Sequence, residues 1–517
     1  MLECQSTVNE MFNEKSIFIS LLSICLIPFL FGCDSISAAS SQGDSESSSS
    51  VDNYKKYSFL IDSINGGKSS FYHVSNSDGT KVDATSVYPF DTSILITYYS
   101  DTGEDTEFAT EANRCFQKYH ALFDRHNYYV DSSFNLVNNV RVINDSYKTG
   151  RKIALDSDLY DSLKKSVAFS SASDGKFSIG VGNLSSLWDY YISKSIDYDD
   201  VQMDGYEADS VAQGRVIFED PPASFIEAAV NTTPTPSELA DMFSFDDETE
   251  SVTLNAVDRI DSYISSHSGV IKSLKDMGID FSRPSITLGG YGKGEATQLF
   301  SDKYPDKIYL INSGYSSVKC VNGKPDGSGW AISVANPYYN EAVRGGVSSG
   351  SSFNQADLIY TADRNFNLST SGYYNNYYYS LDSSGKYHLR CHIVDPSTGY
   401  SVDNYDSATD YYHAFFASAS VLLDDSGYAD MYTTSLMNCS SLTEAMKLID
   451  TLNSFTGMKA IPYFIHNTKD NGKRKSICYI DSSLKGNMSM MSETFPEYAD
   501  SRLNITSIQL ISDVLED

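Results

Sequence analysis

The chain has 517 residues, too many for one minimal core, and its 41% apolar content suits one large packed unit or about two to four ordinary ones. A net charge of −30, from 38 basic and 68 acidic residues, argues against nucleic acid as a partner, because phosphate contacts need basic patches. The same acid does not name a substrate, since surface carboxylates mostly form a solvated face.

Taken in chain order, the first element is Lys15 followed by an apolar run from Ile17 to Phe31. About 15 residues is short for a membrane span and matches a signal-peptide core. The run ends in Leu30-Phe31-Gly32-Cys33, which resembles a bacterial lipobox and implies lipidation of Cys33. Residues 1–32 are therefore expected to be a lipoprotein signal peptide, and 33–53 a lipidated cysteine on a flexible Ser-rich tether. This places the protein on the extracytoplasmic face of a bacterial cell membrane. Of the other cysteines beyond the leader, Cys115, Cys320, Cys391, Cys439 and Cys478 are odd in number and lack any C-x-x-C pair. Neither a zinc site nor a disulfide framework is indicated, and small buried residues are expected.

Residues 54–517 read as one α+β domain, because helices and strands mix without a regular βαβ alternation. Ser93 to Tyr99 reads as a strand, and Glu107 to Arg125 as a helix with Cys115, Phe116, Tyr119, Leu122 and Phe123 at core spacing. Leu155 to Ser170 makes a second helix. Residues 191–275 differ in texture. Asp197, Asp199, Asp200, Asp204, Glu207 and Asp209 lack the spacing of a calcium loop and suggest an acidic, solvated insertion. Thr235-Pro236 opens another helix. Lys307 to Asn312, Trp330 to Val334 and Phe415 to Leu423 read as strands. Helices are expected from Asp430 to Leu436 and from Leu442 to Leu452.

The most informative stretch is Thr287-Leu288-Gly289-Gly290-Tyr291-Gly292-Lys293-Gly294-Glu295-Ala296. A strand-like run precedes it, and a helix from Glu295 to Phe300 follows. Backbone without Cβ atoms can approach a phosphate closely, and free N–H groups at a helix start favour an anion. The pattern is neither a dinucleotide fingerprint nor a P-loop, because Glu295 follows Gly294. A glycine-rich turn without a ligand explains the same residues equally well.

Six segments in order make a more specific picture. They are Gly175 to Gly182 with Trp188, the Gly289 to Gly294 loop, Asn312-Ser313-Gly314 with Trp330, Ser369-Thr370-Ser371-Gly372, Cys391-His392-Ile393-Val394-Asp395-Pro396-Ser397-Thr398-Gly399-Tyr400, and Ala429-Asp430-Met431-Tyr432-Thr433-Thr434. Their order and wording resemble the ApbE family of FAD:protein FMN transferases, over roughly residues 85–455. The resemblance implies an ApbE-like, T-fold-related domain. It implies Mg²⁺-dependent attachment of FMN to a Thr or Ser of an acceptor protein, with FAD as substrate and AMP released. The acceptor so implied is a flavoprotein subunit of a membrane redox complex. By the same resemblance Asp430 and Thr434 are metal ligands with the Gly292 carbonyl. Their spacing puts both side chains on one helix face. His392 is the implied general base, and Asp395 orients it or its loop. Thr92, Gly289, Gly290, Lys293, Ser371, Gly372, Thr398 and Gly399 are the implied contacts to FAD.

The chain departs from the family pattern. Thr287 stands where an Asp is common, and Tyr373 where an acidic residue often follows Ser-Gly. Two other readings stay open: an FAD-binding or FAD-hydrolysing lipoprotein without a protein acceptor, and a solute-binding lipoprotein.

Overall fold

The computed structural model describes residues 53–64, 69–77, 87–202, 216–314, 316–335, 337, 356–362, 365–406, 411–470, 473–490 and 505–515. The leader, Cys33 and the Ser-rich tether lie outside the described residues. Asp197, Asp199 and Asp200 of the acidic cluster are described in backbone only, and Asp204, Glu207 and Asp209 lie outside. Among the described residues no helix is long and apolar enough to cross a membrane.

The centre is a nine-stranded sheet whose spatial order repeats the chain order. Its strands are β1 (Lys55–Leu60), β2 (Ile94–Ser100), β3 (Ile308–Ser313), β4 (Ser317–Val321), β5 (Phe366–Gly372), β6 (Phe416–Leu422), β7 (Ile461–Asp470), β8 (Lys473–Ile480) and β9 (Ile505–Leu510). Every neighbour pair is antiparallel except β8 and β9. Strand β6 is buried at all its positions.

Six helices matter for the site: α1 (Thr106–Phe123), α2 (Ser157–Ala172), α3 (Gly182–Gln202), α4 (Gly292–Lys303), α5 (Ser426–Met437) and α6 (Leu442–Thr456). Helix α1 buries Phe108, Ala112, Cys115, Phe116, Tyr119 and Leu122, the stripe its spacing predicts. Helices α4 and α5 lie side by side, α4 touching β3 and β4 and α5 touching β5 and β6. All five cysteines named above are free and buried. The described part of the 191–275 segment is not merely solvated. Tyr191, Ile192, Val216, Ile226, Ala228 and Leu274 from it join Leu184, Leu187 and Trp188 in a second hydrophobic core.

Three expected boundaries need correction. The apolar run before the glycine-rich loop is not a strand; it makes only a bridge between Ser285 and Val181. The Asn144 side chain takes its place, accepting from Ile286 N–H at 2.8 Å and donating to Ile286 C=O at 3.0 Å. Helix α4 starts inside the glycines at Gly292, with the Gly292 N–H donating to Leu288 C=O at 2.8 Å. Helix α5 starts at Ser426, where Asp425 caps it by accepting from Tyr428 N–H at 2.7 Å.

The two helix starts approach each other closely. A Cβ added to Gly294 would lie 2.2 Å from the Ser426 carbonyl oxygen and 2.7 Å from Asp430 Cγ. A Gly294→Ala variant must therefore push α4 and α5 apart, and its expected cost is about 1–3 kcal/mol in urea unfolding. Gly269 has no atom within 4 Å of such a Cβ. Gly269→Ala is expected to be neutral or stabilising by about 0.5 kcal/mol, and equal losses in the two variants would count against close packing as the cause.

Candidate active site

The site begins with two serines placed side by side. Ser317 on β4 and Ser369 on β5 are paired in register. Both hydroxyls donate to Oδ1 of Asp430, Ser317 at 2.5 Å. Gly294 N–H donates to Oδ2 of the same carboxylate at 2.8 Å. Asp430 is only 6% exposed. Burial raises its pKa to about 6, against the pull of the serine hydroxyls, Lys293 and the Gly294 amide. Oδ1 has both lone pairs used, whereas Oδ2 keeps one open.

One turn further along α5, the Thr434 hydroxyl donates to the Gly290 carbonyl at 3.1 Å. Asp430 and Thr434 thus both face the glycine-rich loop. Gly292 opens α4, and a Cβ there would lie 3.3 Å from Phe123 and 3.5 Å from Phe90. The loop carbonyl beside Thr434 is that of Gly290. These donors are a carboxylate, a hydroxyl and backbone carbonyls, all hard oxygens that fit a Mg²⁺-type cation. Among the described residues no group of three His, Cys, Asp or Glu forms a metal cluster. A single carboxylate suits an ion that takes few ligands from protein.

The loop itself is held by two further hydrogen bonds. Thr287 Oγ1 accepts from Gly289 N–H at 3.2 Å, and Tyr291, fully buried, donates its hydroxyl to Ser162 C=O at 2.8 Å. Gly289 and Gly290 are left exposed. Lys293 is half-buried, and its ammonium group has no hydrogen-bond or salt-bridge partner among the described residues. Its charge acts on Asp430, His392 and Asp91, so these groups share one electrostatic neighbourhood.

His392 follows the strand Tyr387–Cys391. Its Nδ1 lies 3.3 Å from the Asn376 carbonyl, which can only accept, so Nδ1 carries the proton and Nε2 presents its lone pair. Burial, and secondarily Lys293, lower its pKa to about 4, against the Asn376 hydrogen bond. Asp395 makes a different contact. Its carboxylate accepts from the Ser397 N–H at 2.8 Å and the Ser397 hydroxyl at 2.6 Å. It shapes the turn to Tyr400, and no hydrogen bond joins it to His392 among the described residues. Thr398 is exposed on that turn. Gly399 has φ +78°, and its carbonyl accepts from Trp188 Nε1 at 2.8 Å.

The remaining sequence candidates divide. Thr92 sits against Gly314, whose added Cβ would lie 2.4 Å from the threonine hydroxyl, so two distant motifs meet. Ser371 bonds Thr433 at 2.9 Å across β5 and α5. Gly372 leaves room for the Tyr374 ring, 2.2 Å from where a Cβ would be. Tyr373 is buried with its ring edge-on to Tyr377 at 5.3 Å. Sequence reasoning missed Ser317, Ser369 as a partner of Asp430, and Asn376. The alternation Ser369-x-Ser371 on a strand was the available signal, since both residues then face one helix.

No curated protein matches. Among solved structures, the ApbE protein of Thermotoga maritima is 17% identical with a TM-score of 0.47, covering 81% of this chain and 99% of its own. Flavin transferase ApbE from Vibrio cholerae is 16% identical with a TM-score of 0.45, covering 80% and 98%. Pseudomonas stutzeri flavinyl transferase ApbE in its apo form is 15% identical with a TM-score of 0.45, covering 82% and 95%. The ApbE family model matches residues 90–458, a span that holds every site residue from Thr92 to Thr434, and the chain belongs to the ApbE family.

Proposed function

We propose that this protein is a Mg²⁺-dependent FAD:protein FMN transferase. The observation that carries this reading is that Asp430 and Thr434 of α5 both bond the glycine-rich loop, at the Gly294 amide and the Gly290 carbonyl, while the charge of Lys293, unpaired among the described residues, acts on Asp430 and His392. In the proposed reaction a Thr or Ser hydroxyl of the acceptor attacks the phosphorus of the FMN half of FAD. The pyrophosphate P–O bond breaks, and AMP leaves with the bridging oxygen.

Each residue has a chemical task. The exposed Gly289 and Gly290 let the pyrophosphate approach the backbone, and the start of α4 favours its charge. Lys293 offsets negative charge that shifts toward the leaving phosphate. His392 is neutral at neutral pH, and its Nε2 accepts the hydroxyl proton. The charge of a bound phosphate strengthens that base by favouring the imidazolium. Asp430, Thr434 and a loop carbonyl, from Gly290 or Gly292, hold the cation. The cation, when bound, supplies positive charge to the pyrophosphate oxygens. Asp395, Thr398 and Gly399 shape the turn beside the flavin end.

The deciding experiment incubates the protein with FAD, Mg²⁺ and an acceptor domain bearing a target threonine, and follows intact mass and AMP. An FMN-sized addition that chelator abolishes supports transfer. AMP and free FMN with an unmodified acceptor replace the reading by an FAD hydrolase. Asp430→Asn is expected to abolish both products. Because the carboxylate form is the ligand, transfer should fall as pH drops through about 6, and added Mg²⁺ should move that limb lower. Stability runs the other way: the raised pKa of Asp430 favours the fold below its unfolded value, and that gain is lost as pH rises through about 6. A limb that ignores Mg²⁺ concentration would argue against Asp430 as the ligand.

His392→Ala is expected to slow transfer by about 10²–10⁴-fold while FAD binding is retained. Equal losses of binding and rate would assign His392 to the binding site instead. The lipid anchor at Cys33 and a membrane redox acceptor are part of the proposal. Removing residues 1–33 should give an active protein that stays in the supernatant, and sedimentation of that form with membranes would count against the anchor.

A further inference from the structure

Phe90 and Asp91 are consecutive non-glycine residues in the left-handed region, with φ of 57° and 50°. Side chains make this conformation unfavourable, so the surroundings must impose it. The restraint is visible. Phe90 N–H donates to His120 Nδ1 at 2.8 Å, and His120 Nε2 lies 3.0 Å from the Tyr129 hydroxyl. That hydroxyl donates to Asp124 Oδ2 at 2.8 Å. Asp124 also accepts from His126 N–H at 2.6 Å and from Asn127 Nδ2 at 2.8 Å.

The protons in this chain have one arrangement. Tyr129 has a single hydroxyl proton and gives it to Asp124, so its oxygen accepts from Nε2–H. His120 is then neutral with a bare Nδ1, the only form that can accept the Phe90 amide. Helix α1, which carries His120, thereby holds a bend outside itself.

The bend faces the site. The Phe90 ring stands edge-on to His120 at 5.6 Å and meets the start of α4 at Gly292, 3.5 Å from an added Cβ. The exposed Asp91 carboxylate lies within reach of the Lys293 charge. The next residue is Thr92, which packs on Gly314. We infer that His120 is a positioning residue: through the Phe90–Asp91 bend it fixes Phe90 over Gly292 and Thr92 over Gly314, and so sets the affinity of the site for FAD. This rests on the FAD reading above.

The test uses the full chain with His120→Gln and His120→Phe. A glutamine amide can accept from Phe90 N–H and donate to Tyr129, whereas phenylalanine fills the space and does neither. Three quantities are read: hydrogen exchange at the Phe90 amide, FAD affinity by flavin fluorescence, and melting temperature. His120→Phe is expected to speed exchange and weaken FAD about tenfold, with His120→Gln within about threefold of wild type. A His120→Phe protein that only melts earlier, with exchange and affinity unchanged, makes His120 an ordinary core residue and overturns the inference. So does a His120→Gln protein as impaired as His120→Phe. If His120→Phe does not fold, Tyr129→Phe is read instead; faster Phe90 exchange supports the chain, and unchanged exchange overturns it. If the wild type binds FAD but transfers no FMN, only the transferase reading falls. If it binds no FAD, the inference about affinity falls with that reading, while the exchange pattern still reports whether His120 holds the bend.

Discussion

The structure depends on the close approach of two helix starts, made possible by a glycine on each. Gly294 of α4 lies against the Ser426 carbonyl and Asp430, and Gly427 of α5 lies against Glu295, whose Oε2 would be 1.9 Å from an added Cβ. Only without those Cβ atoms can the Gly294 amide reach the Asp430 carboxylate. The contact is fastened by charge. Lys165 of α2 bonds Glu295 at 2.7 Å and Asp425, the cap of α5, at 3.0 Å. Ser162 adds a hydroxyl to Glu295 at 2.9 Å. Burial still raises the Glu295 pKa despite Lys165. Such a network gives little net stability, because desolvation offsets much of the attraction. Its effect is geometric, since it ties three helices to one point.

Two lysines near this point have opposite surroundings. Lys165 is bonded to two carboxylates, and Lys293 is half-buried and unpaired among the described residues. The distinction matters for a protein of net charge −30. Such a surface repels anions overall, so near this loop a negative group would be drawn by Lys293, unpaired among the described residues, and by the amides of a helix start.

Much of this was legible in the sequence, for identifiable reasons. Four glycines in six residues mark a place where backbone comes close to something, and here it is the start of α5. The spacing of Asp430 and Thr434 fixes a shared helix face whatever the helix packs on. The core stripe of α1 follows from periodicity alone. What could not be read depends on tertiary register. Serine on a strand is common, and only the pairing of β4 with β5 puts Ser317 beside Ser369. Asn144 replaces a strand for Ile286 across 142 residues of separation, a substitution no local pattern reveals. Glycine disfavours a helix by about 1 kcal/mol, so local preference puts the start of α4 at Glu295, whereas close packing lets it begin at Gly292. The sequence leaves Asp395 either to the histidine or to its own loop, and the hydrogen bonds to Ser397 select the loop.

The sheet runs through space in the order of the chain, but the site does not. Gly294 and Asp430 bond across 136 residues, and between them the chain lays down β3, β4, β5 and β6. Contacts so distant in sequence carry a large loop-closure entropy and form slowly. During synthesis the glycine-rich loop emerges long before the carboxylate that locks it. A partly made chain therefore has the glycine-rich loop but lacks the carboxylate that accepts from its Gly294 amide. The loop reaches its final geometry only when the sixth strand and the helix after it have docked, so this point of the fold is set late although its first residues are made early.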